Sequence, residues 1–242
     1  MKFQSHRTLR KATAALWLLV GILISLAGAA WTQRSSTRFP HMAPLSEYLM
    51  ARDAEIALAR SAAPAAISGD AEVLVLGKRN FERAAAGKNG FTCVVERSWS
   101  AGPDDPDFWN PKLRGPICFN AAAAKSQIPI LMQRTQFILG RASKDEMFSR
   151  IKTLFAKGEL KQPDPGAMCF MLSKQGYLSS KGGHWRPHLM FFVPLVDPAN
   201  WGAALPGSPV VMAFKDDAEK MTVFLVPVGA WSDGEAAPVD GH

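Results

Sequence analysis

The sequence predicts an α+β fold, with a mainly antiparallel sheet and helices inserted between two groups of strands in a single domain. Extended segments occupy residues 72–99, helical periodicity fills residues 120–158, and extended segments return after residue 167. This order lacks the regular alternation of strand and helix that parallel sheets require. We expect the last third of the chain to form strands at residues 167–172, 189–196, 210–214 and 222–228.

The N-terminal segment has the layout of a secretory signal peptide. Lys2, Arg7, Arg10 and Lys11 precede an uncharged stretch over residues 12–30 that ends in small residues. We expect cleavage near residue 29 or 30, and an uncleaved membrane anchor is the alternative. Either outcome places the rest of the chain in the periplasm or cell envelope. The predicted organisation is a leader over 1–30, a polar linker over 31–43, one α+β domain over 44–232 and a disordered tail over 233–242.

The charge balance argues against a nucleic-acid partner. The chain has 28 basic and 21 acidic residues, a net charge of +7. Without the four basic residues of the leader, 24 basic residues face 21 acidic ones, and the net charge falls to +3. No run of basic residues interleaved with aromatic ones remains to form a nucleic-acid surface. Contact with a membrane is expected only through the N-terminal segment, and only if that segment is not cleaved.

The first half of the predicted domain begins with a helix. Apolar residues recur at helical spacing over residues 45–63, between Pro44 and Pro64. Strands are expected at Glu72–Leu76 and at residues 91–99, and the turn residues 87–90 suggest that these two strands pair as a long hairpin.

The second helical region is expected over residues 120–158, with breaks at Pro129 and near Gly140. Its last helix has a clear local signature. Ser143 and Glu146 form a capping-box pair, an apolar stripe follows them, and Gly158 stands at the C-terminal stop.

Three cysteines, Cys93, Cys118 and Cys169, all lie among apolar neighbours in the exported part of the chain. An oxidising compartment permits a disulfide, and an odd number leaves at least one thiol unpaired. One disulfide with one buried thiol is the first expectation, and three buried thiols are the second. Burial among apolar residues raises the pKa of a thiol and argues against reactivity.

Cys169, His184 and His188 are the candidate catalytic residues. The glutamate of a His-Glu-x-x-His zinc motif is absent, and Pro187 disfavours a helix there. If a hairpin turns near residues 178–179, Cys169 and His188 become cross-strand neighbours. That pairing suggests either a thiolate–imidazole couple for acyl transfer or a copper or zinc site with a nearby methionine, from Met168, Met171 or Met190. The alternative is that the histidines bind backbone groups and the methionines fill the core.

Other motifs give no support for a cofactor. The loop with Asp104, Asp105, Asp107 and Asn110 lacks the spacing of a calcium-binding EF-hand. The pair Ser149 and Lys152 matches the spacing Ser-x-x-Lys only within a helix, and no phosphate-binding glycine loop or Rossmann fingerprint occurs. Neither a cofactor nor a metal is assigned from the sequence.

Three segments resemble those of a family of uncharacterised exported bacterial proteins: Phe108-Trp-Asn-Pro-Lys-Leu-Arg-Gly-Pro-Ile-Cys-Phe-Asn120, Pro165-Gly-Ala-Met-Cys-Phe-Met-Leu-Ser-Lys-Gln-Gly-Tyr177 and His184-Trp-Arg-Pro-His-Leu-Met-Phe-Phe192. The resemblance spans most of the mature chain. It implies export and a single domain, and it implies no activity. We therefore expect an exported domain that binds a small ligand or an envelope protein, with a Cys/His hydrolase or a Cys/His/Met metal-dependent enzyme as the alternative.

Overall fold

The computed structural model describes residues 38–179 and 185–237. Within these ranges the chain forms eight strands and four α-helices, with short 3₁₀ helices between them. The strands are β1 (Glu72–Leu76), β2 (Phe81–Ala85), β3 (Thr92–Glu96), β4 (Gly115–Phe119), β5 (Met168–Met171), β6 (His188–Pro194), β7 (Met212–Asp216) and β8 (Met221–Pro227). The helices are α1 (Arg52–Arg60), α2 (Ala65–Ser68), α3 (Ala121–Leu139) and α4 (Lys144–Ala156).

The eight strands form one sheet in the order β2-β1-β3-β4-β5-β6-β8-β7. Every neighbouring pair is antiparallel except β1 and β3. The α+β class and the mainly antiparallel sheet are therefore confirmed. The four strands predicted in the last third of the chain are all present, with their ends shifted by up to two residues.

The predicted hairpin between β1 and β3 is wrong, because these strands run parallel with Val73 beside Cys93. Strand β2, which was not predicted, pairs antiparallel with β1 on its other side. The connection from β2 to β3 must therefore cross the start of β1. Gly87 makes this crossing possible, since a Cβ atom there would lie 2.3 Å from the backbone nitrogen of Glu72.

The single helix predicted over residues 45–63 is also wrong. The chain forms a 3₁₀ turn at Leu45–Glu47, leaves helical geometry, and begins α1 only at Arg52. The interruption follows from a tertiary contact that helical periodicity does not report. Arg97 Nε donates to the Tyr48 carbonyl at 2.8 Å, and Arg97 Nη2 reaches Glu55 Oε1 on α1 at the same distance.

Helix α3 continues through Pro129, so the predicted break there is wrong. A proline inside a helix removes one backbone hydrogen bond, to the carbonyl four residues earlier. Pro129 and Lys125 both lie on the exposed side of α3, where water can reach the carbonyl that loses its donor. The helix does end beside Gly140, as expected.

The capping box that begins α4 is confirmed. Ser143 Oγ accepts from the Glu146 backbone N–H, and Glu146 Oε2 accepts from the Ser143 N–H at 2.8 Å. Gly158 follows the helix with a φ of 73°, a conformation that glycine adopts without strain.

The sheet has two apolar faces with different covers. The α3 face includes Val94, Ile117, Cys169 and Val223, which pack with α3, α4 and the indole of Trp99. The α1 face includes Val73, Val75, Val95 and the disulfide between Cys93 and Cys118, which pack beneath α1. Cys169 is a buried free thiol, so the expectation of one disulfide and one buried thiol is confirmed.

The sheet curves around α3. At one edge, Asn80 in the turn between β1 and β2 donates to the Met132 carbonyl of α3 at 3.1 Å. At the other edge, Asp216 and Glu219 around β7 and β8 form ion pairs with Arg134, half a turn further along α3. A flat sheet of eight strands would hold its edges about 34 Å apart, far beyond the width of one helix. Contacts from both edges explain why α3 is apolar on several sides.

The predicted leader and most of the polar linker lie outside the described residues. Within residues 38–179 and 185–237, no helix has the length and apolar character needed to cross a membrane. The segment 233–237 belongs to the predicted tail, and the Ala237 N–H donates to the Gly229 carbonyl there.

Candidate functional site

The register of β5 and β6 decides how the candidate catalytic residues meet. The two strands are antiparallel neighbours as expected, but Cys169 lies opposite Met190, and His188 lies opposite Met171. The prediction that Cys169 and His188 oppose each other is therefore wrong by two residues. Because side chains alternate along a strand, both residues still belong to the α3 face, on a diagonal of about 7–8 Å.

Cys169 lies in the core under α3. It is fully buried, and burial raises the pKa of its thiol well above the ordinary value; a hydrogen bond with the Met190 backbone opposes this rise only in part. The negative charge of Glu96 raises the pKa further. A nucleophilic cysteine requires the opposite, a nearby positive field and access to solvent.

His188 occupies a different environment at the end of β6. Its Nδ1 lies 2.7 Å from the Arg186 carbonyl, and its ring packs 5.5 Å from the ring of Trp185. Burial lowers the pKa of this imidazole, which favours the neutral form with Nδ1 as the donor. His184, the third candidate, lies outside the described residues.

Among the described residues, no group of three or more His, Cys, Asp and Glu side chains is arranged to hold a metal ion. In the acidic loop, Asp105 Oδ1 accepts from the Asp107 N–H at 2.7 Å, and Asn110 Oδ1 accepts from the Lys112 N–H. These oxygens stabilise the loop itself.

A cluster of charged groups is buried between α3 and the curved sheet. Arg134 is 3% exposed, and its Nη1 donates to the carbonyls of Trp99, Ser100 and Ala101 at 2.9–3.1 Å. Its Nη2 pairs with Glu219. The guanidinium also lies over the ring of Phe148, 4.9 Å from the centroid, and it pairs with Asp216 at 3.6 Å. This cluster connects the residues that follow β3, the helices α3 and α4, and the turn between β7 and β8.

Glu96 at the end of β3 lies in the field of this cluster. Burial raises the pKa of its carboxyl to about 7, the positive charge of Arg134 lowers it, and the negative charge of Glu219 raises it again. Burial likewise raises the pKa of Glu219. Within the described chain no hydrogen-bond donor contacts the Glu96 carboxylate. The arrangement supplies a carboxyl group that changes protonation near neutral pH.

An apolar groove opens on the α1 face, beyond the strands that α1 covers. Its volume is about 670 Å³, and Phe170, Leu172 and Leu189 form its floor. Pro64 at the start of α2 bounds it, together with the segment that follows β8. The lining residues are Pro64, Phe170, Leu172, Leu189, Val228, Gly229, Ala230, Trp231, Ser232, Asp233 and Gly234.

The C-terminal wall of the groove is held by several hydrogen bonds. The Ser232 N–H donates to the Leu172 carbonyl at 2.9 Å, and Lys174 pairs with Asp233 at 2.6 Å and with Glu235. The hydrogen bond from Lys174 lowers the pKa of Asp233, so this carboxylate stays ionised. The wall therefore presents Trp231 from a tethered segment.

The fold and these sites were compared with known proteins. No protein-family model, curated protein or solved structure matches the chain. The resemblance to exported bacterial proteins therefore stays a prediction.

The groove is the feature that sequence reasoning missed. Its residues come from four separate parts of the chain, and none of them forms a motif. The only sequence signal is the excess of large apolar side chains in residues 167–172 and 189–193 on both faces of their strands. Strands that are apolar on both faces need a cover on both faces.

Proposed function

We propose that this protein is an exported binding domain of the cell envelope that holds an apolar, chain-like ligand, such as an acyl chain, in the groove. The observation that carries this proposal is the groove's apolar lining. Its volume of about 670 Å³ falls within the usual range for small-molecule sites.

The lining also indicates the chemistry of the ligand. Of the eleven lining residues, only Ser232 and Asp233 have polar side chains, and Lys174 already neutralises Asp233. A site with few polar groups recognises its ligand through buried apolar area and shape. A hydrocarbon chain meets this requirement, whereas a sugar or a nucleotide would leave its polar groups unpaired.

Export is a separate part of the proposal. It is supported by the leader-like segment at residues 1–30, and the disulfide between Cys93 and Cys118 is compatible with an oxidising compartment. The alternative of a Cys/His hydrolase or a metal-dependent enzyme receives less support, because Cys169 is buried in the core and lies opposite Met190.

A fluorescent probe tests the binding step. The protein, purified after expression of the full chain, is titrated with N-phenyl-1-naphthylamine, which becomes fluorescent in apolar sites, and the probe is then displaced with hexadecanoate. We expect saturable binding and displacement. Leu189→Gln, which places an amide on the groove floor, should weaken binding by about tenfold or more, because burying a leucine contributes about 1.5–3 kcal/mol.

Leu195→Gln is the matched control, since it makes the same change at a position that is 38% exposed and lies outside the groove. It should leave binding unchanged, and thermal unfolding should show that both variants fold. Equal weakening by both changes, or no saturable binding by the parent protein, would contradict the proposal.

A further inference from the structure

Exposed apolar side chains are concentrated at one edge of the sheet. Among the described residues, large hydrophobic side chains with more than a third of their surface exposed are Trp185, Leu195, Trp201, Leu205, Val211, Met212 and Phe214. Five of these seven lie in the fourteen residues that end at Phe214 in β7. Clustering of this kind marks an interaction surface, whereas single exposed hydrophobics do not.

The two edges of the sheet differ in a way that supports this interpretation. The β2 edge carries two ion pairs, Arg52 with Glu82 at 3.0 Å and Arg83 with Glu72 at 2.6 Å. Charged side chains of this kind discourage a further strand from pairing. The β7 edge instead presents Met212 and Phe214 on one face, 38% and 42% exposed.

We infer that a second copy of this chain covers the β7 edge, so that two β7 strands pair antiparallel about a two-fold axis through Ala213 and the sheets join. In this register Met212 of each copy lies opposite Phe214 of the other. Directly opposed residues of an antiparallel pair share a face, so the four exposed apolar side chains cover one another. On the other face, Val211 lies opposite the aliphatic stem of Lys215.

Neighbouring registers are worse. An axis through Met212 sets Lys215 opposite Pro209, which has no N–H and precedes β7. An axis through Phe214 sets Met212 opposite Asp216, whose carboxylate already pairs with Arg134. An axis through Lys215 brings two ammonium groups face to face, which destabilises a strand pair. Of these registers, only the axis through Ala213 sets Met212 opposite Phe214, and it opposes no like charges. A surface that matches itself in one register is what a two-fold interface requires.

The exposed apolar area is a substantial part of what a dimer interface buries. Trp201, Leu205, Val211, Met212 and Phe214 together expose roughly 400 Å² of side-chain surface per copy, about half of the ~800 Å² that a standard interface buries on each partner. Pairing of the strand backbones and burial of the neighbouring polar rim supply the remainder. Trp201 is already held in place, since its ring stacks 4.3 Å from the ring of Phe224.

The first test is the molar mass in solution, measured by light scattering after size-exclusion chromatography over a range of concentrations. The protein, purified after expression of the full chain, should have twice the mass of one copy. Phe214→Glu should weaken dimerisation by at least about 100-fold, since both copies lose an aromatic contact and gain a charge. Leu195→Glu, a similarly exposed site outside β7, should leave the dimer intact. A single-copy mass at all concentrations, or a dimer unaffected by Phe214→Glu, would overturn the inference.

The second test reports the register and does not depend on weakening the dimer. Ala213→Cys places two thiols on the axis, so oxidation should link the copies covalently. Lys215→Cys is the control, because its two thiols would lie about 13 Å apart, too far for a disulfide. Native cysteines do not interfere, since Cys93 and Cys118 are paired and Cys169 is buried. Cross-linking through residue 215 and not through residue 213 would overturn the proposed register.

Discussion

Replacing Glu96 by glutamine should make the protein more stable at neutral and alkaline pH. Burial raises the pKa of the Glu96 carboxyl from its ordinary value of 4.5 to about 7 in the folded protein. The folded state therefore binds this proton more tightly than the unfolded state does. Stability is greatest when the group is protonated, and it falls as the pH rises from about 4.5 to about 7.

The magnitude follows from the same values. A change of one in pKa corresponds to about 1.4 kcal/mol, so ionising Glu96 costs at most about 3 kcal/mol of folding free energy. Its side chain keeps partial contact with solvent, which reduces the expected cost to about 1–2 kcal/mol. Glutamine is neutral at every pH and nearly isosteric. The gain in stability of Glu96→Gln should therefore be close to zero at pH 4 and reach about 1–2 kcal/mol at pH 8.

Urea unfolding followed by tryptophan fluorescence, repeated across this pH range with the disulfide intact, measures the difference. Glu47→Gln is the control, because Glu47 is exposed and its substitution should shift stability by less than about 0.5 kcal/mol at any pH. A stability difference for Glu96→Gln that does not change with pH would refute the reasoning. A variant less stable than the parent at pH 8 would refute it too, since it would show that the ionised carboxylate stabilises the fold.

Two further predictions concern the chain crossing and the cysteines. Gly87→Ala should destabilise the protein by about 1–3 kcal/mol, because the added Cβ would lie 2.3 Å from the Glu72 backbone nitrogen. Gly102→Ala is the control, since a Cβ there would have no atom within 4 Å. It should change the free energy of unfolding, measured in urea, by less than about 0.5 kcal/mol. Iodoacetamide should label Cys169 only after unfolding, and mass spectrometry without reduction should then find that residue alone modified. Labelling of the folded protein, or of a second cysteine, would contradict the buried thiol or the disulfide.

Local sequence patterns predicted those parts of the fold that local interactions determine. The capping box of Ser143 and Glu146 depends on residues three apart, and β1 depends on a short apolar run, and both were found where expected. Strand β2 was missed because Phe-Glu-Arg-Ala-Ala has neither β-branched residues nor alternating polarity. Its ion pairs with residues of α1 and β1 appear only once the sheet has formed.

The candidate catalytic pair shows how a small local error changes a site. The pairing of β5 and β6 is centred one residue later in the chain than predicted. This small change shifts the partner of every residue by two positions. Cys169 then meets Met190 in place of His188. The sequence identified the correct two strands and the correct face, but the centre of the turn decides which side chains oppose each other.

The groove has a physical cause in the length of α1. A helix of nine residues is about 13.5 Å long, which covers about three strands at a spacing of about 4.8 Å. Helix α1 accordingly packs on β1, β3 and β4. The remaining strands of the α1 face depend on less regular cover, with Trp231 over Phe170 and Leu189 and with Trp201 over Phe224.

The groove opens where α1 ends and the C-terminal segment begins. Met212 and Phe214 of β7 lie on the other face of the sheet, because they pair with Leu225 and Val223, and Val223 belongs to the α3 face. A longer α1 would close the groove and leave Met212 and Phe214 exposed on the opposite face, so the two surfaces are separable. Leu189→Gln should lose ligand binding and keep the dimer, and Phe214→Glu should lose the dimer and keep ligand binding. This pair of results would show that the sheet carries two independent contacts on surfaces that its own helices do not cover.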